Sequence, residues 1–381
     1  MKFGILRAMG RDLVDWSEHH ALDLRVLLYA ATGLMVFALT AQRSFFPHLH
    51  WTFLIFHASF WHLIHQQNLY ISYAHQDLFK YSPTAALLFA PFAVPPFALG
   101  LLLWNAFNAT ALIFALHRLV GQRNVSLALL LVFPELFNAM QASQSNALVA
   151  ALIILAFVAL EKGHQLRGYL SIAVGVAIKI FPLAALSFAI FYPRRARAAV
   201  AFVLCATALA LLPLMVTPPS MLLAQYGWWH AIEMTDALAR GESVMLALHQ
   251  AFGVQWPNWP VQAAGITVLL LPLLHRKRWA DVHFRRAFLA SLLVFVVIFN
   301  HQAERQSYVI AATGVALWFV DSPRDRYRLA LVILSLAGIL AWGYLPVWLV
   351  IQCQLHGMPA PFARFFPSPN RASPTAPHTA L

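Results

Sequence analysis

SFFPHLHWTFLIFHASFWHLIHQQNLYISYAHQDLFKYSPTAALLFAPF, residues 44–92, sets a polar, aromatic, histidine-dotted stretch against an apolar run opened by Pro83. Such neighbours read as the first large loop of an integral membrane protein and the return of the chain into the bilayer, the return marked by Asp77, Lys80, Tyr81 and Pro83. Between Ser44 and Tyr81 the loop holds six histidines (His48, His50, His57, His62, His65, His75), one lysine, Lys80, and one carboxylate, Asp77, so acid-base chemistry on it has few agents. Phe53, Phe56, Phe60 and the Leu63/Ile64 pair recur at helical spacing, which predicts a helix lying at the membrane interface with its rings at headgroup depth.

Composition widens that reading to the whole chain. With 381 residues, 61% hydrophobic and only 10% charged, the sequence cannot clothe a water-facing surface. It describes an all-α, polytopic transmembrane helix bundle with a large first external loop carrying interfacial helices. The net charge of +12 does not point to nucleic acid, because the arginines stand in short clusters between apolar runs, as cytoplasmic loops require. Cys205 and Cys353 offer neither a disulfide framework nor metal-ligand spacing. His48-x-His50 resembles a metal pair, but no third ligand has suitable spacing, so no metal and no cofactor are expected.

Residues 1–25 are polar and basic (Lys2, Arg7, Arg11, Arg25) and precede an apolar segment, 26–41. This reads as an uncleaved signal anchor with a cytoplasmic N-terminus in a bacterial inner (plasma) membrane; a cleaved signal peptide with an unusually long basic region is the competing reading. The first loop then lies outside, and the clusters Arg194/Arg195/Arg197, Arg276–Arg286 and Arg324/Arg326/Arg328 lie inside. Residues 218–242 form a second external loop, and Asn300–Arg305 the charged apex of an external hairpin. Residues 82–118 are long enough for two spans of about 18 residues turning at Pro95 and Pro96, at the cost of placing Arg118 and Arg123 outside. For residues 168–192 a single tilted span competes with two short helices split at Lys179-Ile180-Phe181-Pro182, and the split keeps both basic ends inside. The domains are therefore 1–25, a cytoplasmic segment; 26–350, the membrane bundle; and 351–381, a proline-rich disordered tail.

On this topology four polar groups converge near the external face: Asp77/Lys80/Tyr81, Gln144/Asn146, Lys179, and His301/Glu304/Arg305. Charges at membrane depth are costly and usually functional or paired. Lys179 could instead snorkel to the interface, and Glu304 and Arg305 could merely solvate a hairpin tip. Trp228, Trp229 and His230 could stack on a sugar or sit in the aromatic belt. The sequence carries no Walker motif and no GxSxG, which argues against a cytoplasmic nucleotide site.

The ordered set DLFKYSPTAALLFAPFAVPPF (77–97), LLLWNAFN (101–108), QSN (144–146), GVAIKIFPL (175–183) and GESVMLALHQAFG (241–253) resembles glycosyltransferase family 87, multi-span enzymes of the GT-C type. The resemblance covers roughly residues 45–320. It implies transfer of a sugar, mannose among the candidates, from a polyprenyl-phosphate donor to a cell-envelope glycan or lipid acceptor on the outer side, with inversion. The groups that this topology brings outward would supply the carboxylate base, Asp77 beside Lys80 three residues on, with Glu304 as the alternative; the cations at the donor phosphate (Lys80, Lys179, Arg305, with His301); and substrate contacts from Tyr81, Gln144 and Asn146. The acid that usually follows the first span in such enzymes is missing, for that place reads Thr52-Phe53-Leu54-Ile55-Phe56. A transporter or flippase of lipid-linked sugars, and a non-catalytic member of the same frame, are the competing classes.

Overall fold

The computed structural model describes residues 21–45, 51–73, 77–236, 238–323 and 325–359, and the described residues are helices joined by loops, with no strand among them. The expected cytoplasmic segment up to residue 20, His48, His50, His75 and the tail from residue 360 lie outside the described residues.

The core is set by helices apolar on every side, which must be buried on every side. Residues 287–298 of α12 (Val282–Ile298) and 308–320 of α13 (Tyr308–Asp321) are all buried, and the two helices pack along each other. Gly314 makes the approach possible: a Cβ there would come within 2.6 Å of the Ala290 carbonyl oxygen. Small residues at such crossings are how membrane helices associate without a hydrophobic drive between them. On this pair pack α5 (Phe97–Gln141), α6 (Asn146–Glu161), α14 (Arg326–Leu336) and α15 (Ala341–Leu355), while α1 (Ala21–Phe45) packs on α5, α7 (Gln165–Ile178) on α6, α8 (Arg195–Leu211) on α7 and α10 (Val244–Phe252) on α15. Among the described residues three segments are long and apolar enough to cross a bilayer alone: Asp23–Phe45, Phe97–Gln141 and Arg195–Met215. Helix α15 carries the packed chain past the boundary expected at residue 350, with Ile351, Gln352 and Leu355 buried.

Three local readings change. The run from Pro83 makes two short helices, α3 (Pro83–Leu88) and α4 (Ala90–Ala93), too short to span. Helix α5 then starts after Pro96, breaks at Gly121, whose φ of 74° suits glycine, and returns to the polar turn at 142–145. Arg118 and Arg123 flank that break, at the far end from Gln144, so the conflict with the positive-inside rule disappears. Second, the aromatic face of α2 (Trp51–Ile64) does not look outward: Phe53, Phe56, Phe60 and Leu63 are buried against Phe89, Phe97 and Trp104. The third change is that residues 219–236 form a helix, α9 (Pro219–Asp236), not an open loop. It is pinned to the first loop by Gln225, which accepts from the Leu69 N–H (3.1 Å) and donates to the Gln67 carbonyl (2.6 Å).

The chain does break at Lys179. Pro182 lacks the N–H to continue α7, so Lys179 turns extended (φ −143°, ψ 140°) and an eleven-residue 3-10 helix, Phe181–Phe191, follows. Runs of this length are uncommon and often mark functional irregularity.

The ends of the bundle differ in charge. Bonds at one end join Arg285 to Glu161 (2.6 and 2.7 Å), Tyr192 to Glu161 (2.6 Å) and Arg286 to Asp321 (2.7 Å), close in sequence to Arg194, Arg195, Arg276 and Arg278. From that end α6 and α13 lead back to the other, which holds Tyr81, Gln144, Lys179 and Glu304.

Candidate active site

The site begins with the tripeptide Tyr81-Ser82-Pro83. Ser82 caps α3 by accepting from the Ala85 N–H (3.2 Å) and donates to the Ala177 carbonyl, while Pro83 supplies the first helical φ. Thr84 adds a bond to the Leu209 carbonyl (2.7 Å) and Tyr70 one to the Tyr81 carbonyl (2.7 Å). The backbone of Tyr81 is thereby held on both sides, and its hydroxyl reaches the 142–145 turn.

There a chain of hydrogen bonds forms. The Tyr81 hydroxyl donates to Gln144 Oε1 (3.1 Å), and Gln144 Nε2 donates to Glu304 Oε2 (3.0 Å). Burial, with Glu304 nearby and against the pull of Ser145, raises the Tyr81 phenol, which stays protonated and able to donate. Glu304 is further set by a reciprocal cap with Ser307, whose hydroxyl accepts from the Glu304 N–H at 3.1 Å. Lys179 stands beside this chain, its ammonium 2.8 Å from Asn146 Oδ1 and 5.7 Å from the centre of the Tyr81 ring.

These groups wall one end of a cavity of about 800 Å3. Its polar end is lined by Lys80, Tyr81, Lys179, Glu233, Asp236, His301, Gln302 and Glu304. Its other limb is apolar, bounded by Phe181, Leu183 and Ala184 of the 3-10 helix, by Ile266, Leu269 and Leu270 of α11 (Asn258–Leu270), and by Phe295 and Phe299 at the end of α12. His301 has a defined tautomer: Gln262 Nε2 donates to the Phe299 carbonyl (3.2 Å) and stands 3.1 Å from His301 Nδ1, so Nδ1 accepts and Nε2 carries the proton. That N–H has no partner among the described residues. Burial lowers the imidazole pKa, Asp236 opposing, so the ring is a neutral donor.

Of the residues singled out from sequence, Lys80, Tyr81, Lys179, His301 and Glu304 share the cavity wall, and Gln144 and Asn146 hold three of them, Tyr81, Glu304 and Lys179. Two stand apart. Asp77 is not on the wall; its carboxylate accepts from the N–H of Leu78 (2.7 Å), and Lys80, three residues on, pairs instead with Asp236 (2.7 Å). Arg305 turns away from the cavity to the buried Glu135, 2.9 Å distant, which also accepts from Asn138 (3.1 Å). Sequence reasoning passed over Glu233, Asp236, Gln302, Gln262 and Glu135. For the first two a signal existed, since Trp229, Glu233 and Asp236 repeat at i, i+4 and i+7.

The arrangement offers a carboxylate, Glu304, positioned by an amide, with the Lys179 ammonium near it and an imidazole and apolar side chains on the same cavity wall. Burial, with Asp236 nearby and against hydrogen bonds from Gln302 and Trp229, raises Glu233. The profile of glycosyltransferase family 87 matches residues 79–300, more than half of the chain. That match takes in every wall residue named above except His301, Gln302 and Glu304, which follow directly after it. A comparison with curated proteins returns no match.

Proposed function

The chain belongs to glycosyltransferase family 87, and on that premise we propose that it transfers a sugar from a polyprenyl-phosphate donor to a cell-envelope glycan or lipid, on the non-cytoplasmic face of a bacterial inner membrane and with inversion. The observation that carries the reading is the cavity whose wall brings a carboxylate, a lysine and an imidazole together with a run of apolar side chains. A phosphate with a long isoprenoid tail needs both parts at once: fixed donors and cations for the anion, and an apolar trough for the chain.

In this reaction the acceptor hydroxyl oxygen attacks the anomeric carbon as the bond from that carbon to the phosphate oxygen breaks, and the lipid phosphate leaves with the electron pair. Glu304 takes the hydroxyl proton. It is the carboxylate held and aimed by the Tyr81–Gln144 chain. Lys179 and the His301 N–H stabilise the charge that gathers on the leaving phosphate, where preorganised donors act most strongly. The basic clusters at the opposite end support an outward-facing cavity and a cytoplasmic N-terminus. No nucleotide is required.

The test is turnover by purified protein in nanodiscs, supplied with polyprenyl-phosphate mannose or glucose and an envelope glycolipid extract. The reading expects release of polyprenyl phosphate coupled to a new glycosidic bond. Movement of the intact donor across sealed vesicles without bond formation would replace it with a flippase.

A further inference from the structure

The reaction as derived leaves one group on the cavity wall unused. Trp229, Glu233 and Asp236 lie on a single face of α9, and all three line the polar end. Across from them Gln302 donates through Nε2 to Glu233 Oε2 (3.2 Å) and to Asp236 Oδ2 (3.3 Å). The indole N–H of Trp229 reaches the Lys80 carbonyl (3.3 Å), and Lys80 closes the ring through Asp236. The opposite half of the helix is anchored by Gln225 and by Tyr226, whose hydroxyl donates to the Ala210 carbonyl (2.9 Å), so this face is held rather than free.

We infer that the Trp229–Glu233–Asp236 face, closed by Gln302, is a sugar subsite that takes an uncharged pyranose and rejects a uronate. The chemistry of the residues says so. An indole is a flat apolar surface on which the C–H face of a pyranose stacks. Each carboxylate is an acceptor with about four lone-pair positions. Gln302 and Trp229 use two on Glu233, and Gln302 and Lys80 use two on Asp236, which leaves acceptors for adjacent hydroxyls of one sugar ring. Charge supplies the selection. Lys80 is paired with Asp236, and Lys179 serves the donor phosphate in the reaction proposed above, so a carboxylated sugar placed here would face Glu233 without a cation to spare. Glu233 already sits with its pKa raised by burial and by Asp236, and a third negative charge would add to that cost.

The inference rests on the reaction proposed above, and its test separates the two. Saturation-transfer NMR on the full chain, in phosphatidylcholine nanodiscs free of glycoside detergent, uses methyl mannoside, methyl glucoside, methyl galactoside and methyl glucuronide as probes. At least one neutral glycoside should bind and the glucuronide should not. Trp229→Leu should weaken the neutral glycoside about tenfold or more, since it removes the platform. Glu233→Gln should let the glucuronide bind, a gain that a purely structural role for Glu233 does not produce and that stands even if Trp229→Leu folds poorly. Binding of no neutral glycoside, or of the glucuronide and the neutral sugars alike to the wild-type protein, overturns the subsite. So does unchanged neutral binding in a well-folded Trp229→Leu, or a glucuronide still excluded from Glu233→Gln. Glu304→Gln and Lys179→Gln should keep the sugar signal while losing turnover. If they keep turnover, the reaction falls and the sugar subsite remains.

Discussion

The bond between Arg305 and Glu135 gives the sharpest test of how the site is held. Glu135 is 1% exposed, in the second half of α5, and its oxygens accept from Arg305 and Asn138; Arg305 is the residue after Glu304. Glu135→Gln keeps the shape and the Asn138 bond but leaves a guanidinium facing a neutral amide. Breaking a fully buried pair costs about 3–5 kcal/mol. The Arg305 side chain is 37% exposed, so water recovers part of that, and a loss of about 1–3 kcal/mol is the working figure. A double-mutant cycle isolates it: Glu135→Gln, Arg305→Gln and the two together, each followed by reversible SDS titration in mixed micelles. The double variant should be less destabilised than the sum of the singles by that same figure, about 1–3 kcal/mol. Turnover in Glu135→Gln should fall by about one to two orders of magnitude, because a small displacement of a neighbouring reactive group is enough. Additive losses in the cycle, with full turnover in Glu135→Gln, would refute the idea that this pair positions Glu304.

Other perturbations reach the same site from different sides. Lys179→Gln should lower turnover by about two orders of magnitude with expression and thermal midpoint unchanged, as loss of one preorganised charge contact does; full activity would make Lys179 a snorkelling residue. Gly241 has φ 49°, and a Cβ there would stand 2.6 Å from the His301 carbonyl oxygen and 2.7 Å from that of Ala303. Gly241→Ala should therefore push the 301–303 segment outward and reduce both thermal midpoint and turnover, and a silent substitution would contradict that close approach. Glu233 binds its proton more tightly folded than unfolded, so its favourable contribution is complete below the ordinary carboxylate value of 4.5 and is lost as pH rises through its raised pKa. Glu233→Gln mimics the protonated form, and thermal unfolding should show it stabilised at neutral pH with no gain in acid; a gain of equal size at both would point to a cause other than ionisation.

How far the sequence could be read follows from what each signal encodes. The break at Lys179–Pro182 was legible because proline removes a backbone donor wherever it falls. The helical spacing of Phe53, Phe56, Phe60 and Leu63 was legible too, but not what it faces, because lipid and protein interior are equally apolar. The Pro83–Ala93 run misled for a related reason: an apolar stretch of ten or so residues looks like part of a span until its packing is known. The site was harder still. Gln144 meets Glu304 across 160 residues and Glu135 meets Arg305 across 170. Proximity in sequence suggested an Asp77–Lys80 pair, whereas in the folded chain Lys80 pairs with Asp236 on α9. That helix was read as a loop, since its low hydropathy hid the one-sided spacing of Trp229, Glu233 and Asp236.

The central claim is that Glu304 takes the proton from the acceptor. Single-turnover rates with polyprenyl-phosphate mannose or glucose, measured side by side for the wild-type chain, Glu304→Gln and Asp77→Asn, test it most directly. The account predicts that Glu304→Gln, folded and still binding donor, loses about two to four orders of magnitude in rate while Asp77→Asn stays near the wild type. A dead Asp77→Asn beside a nearly normal Glu304→Gln would contradict it and move the chemistry to the first loop.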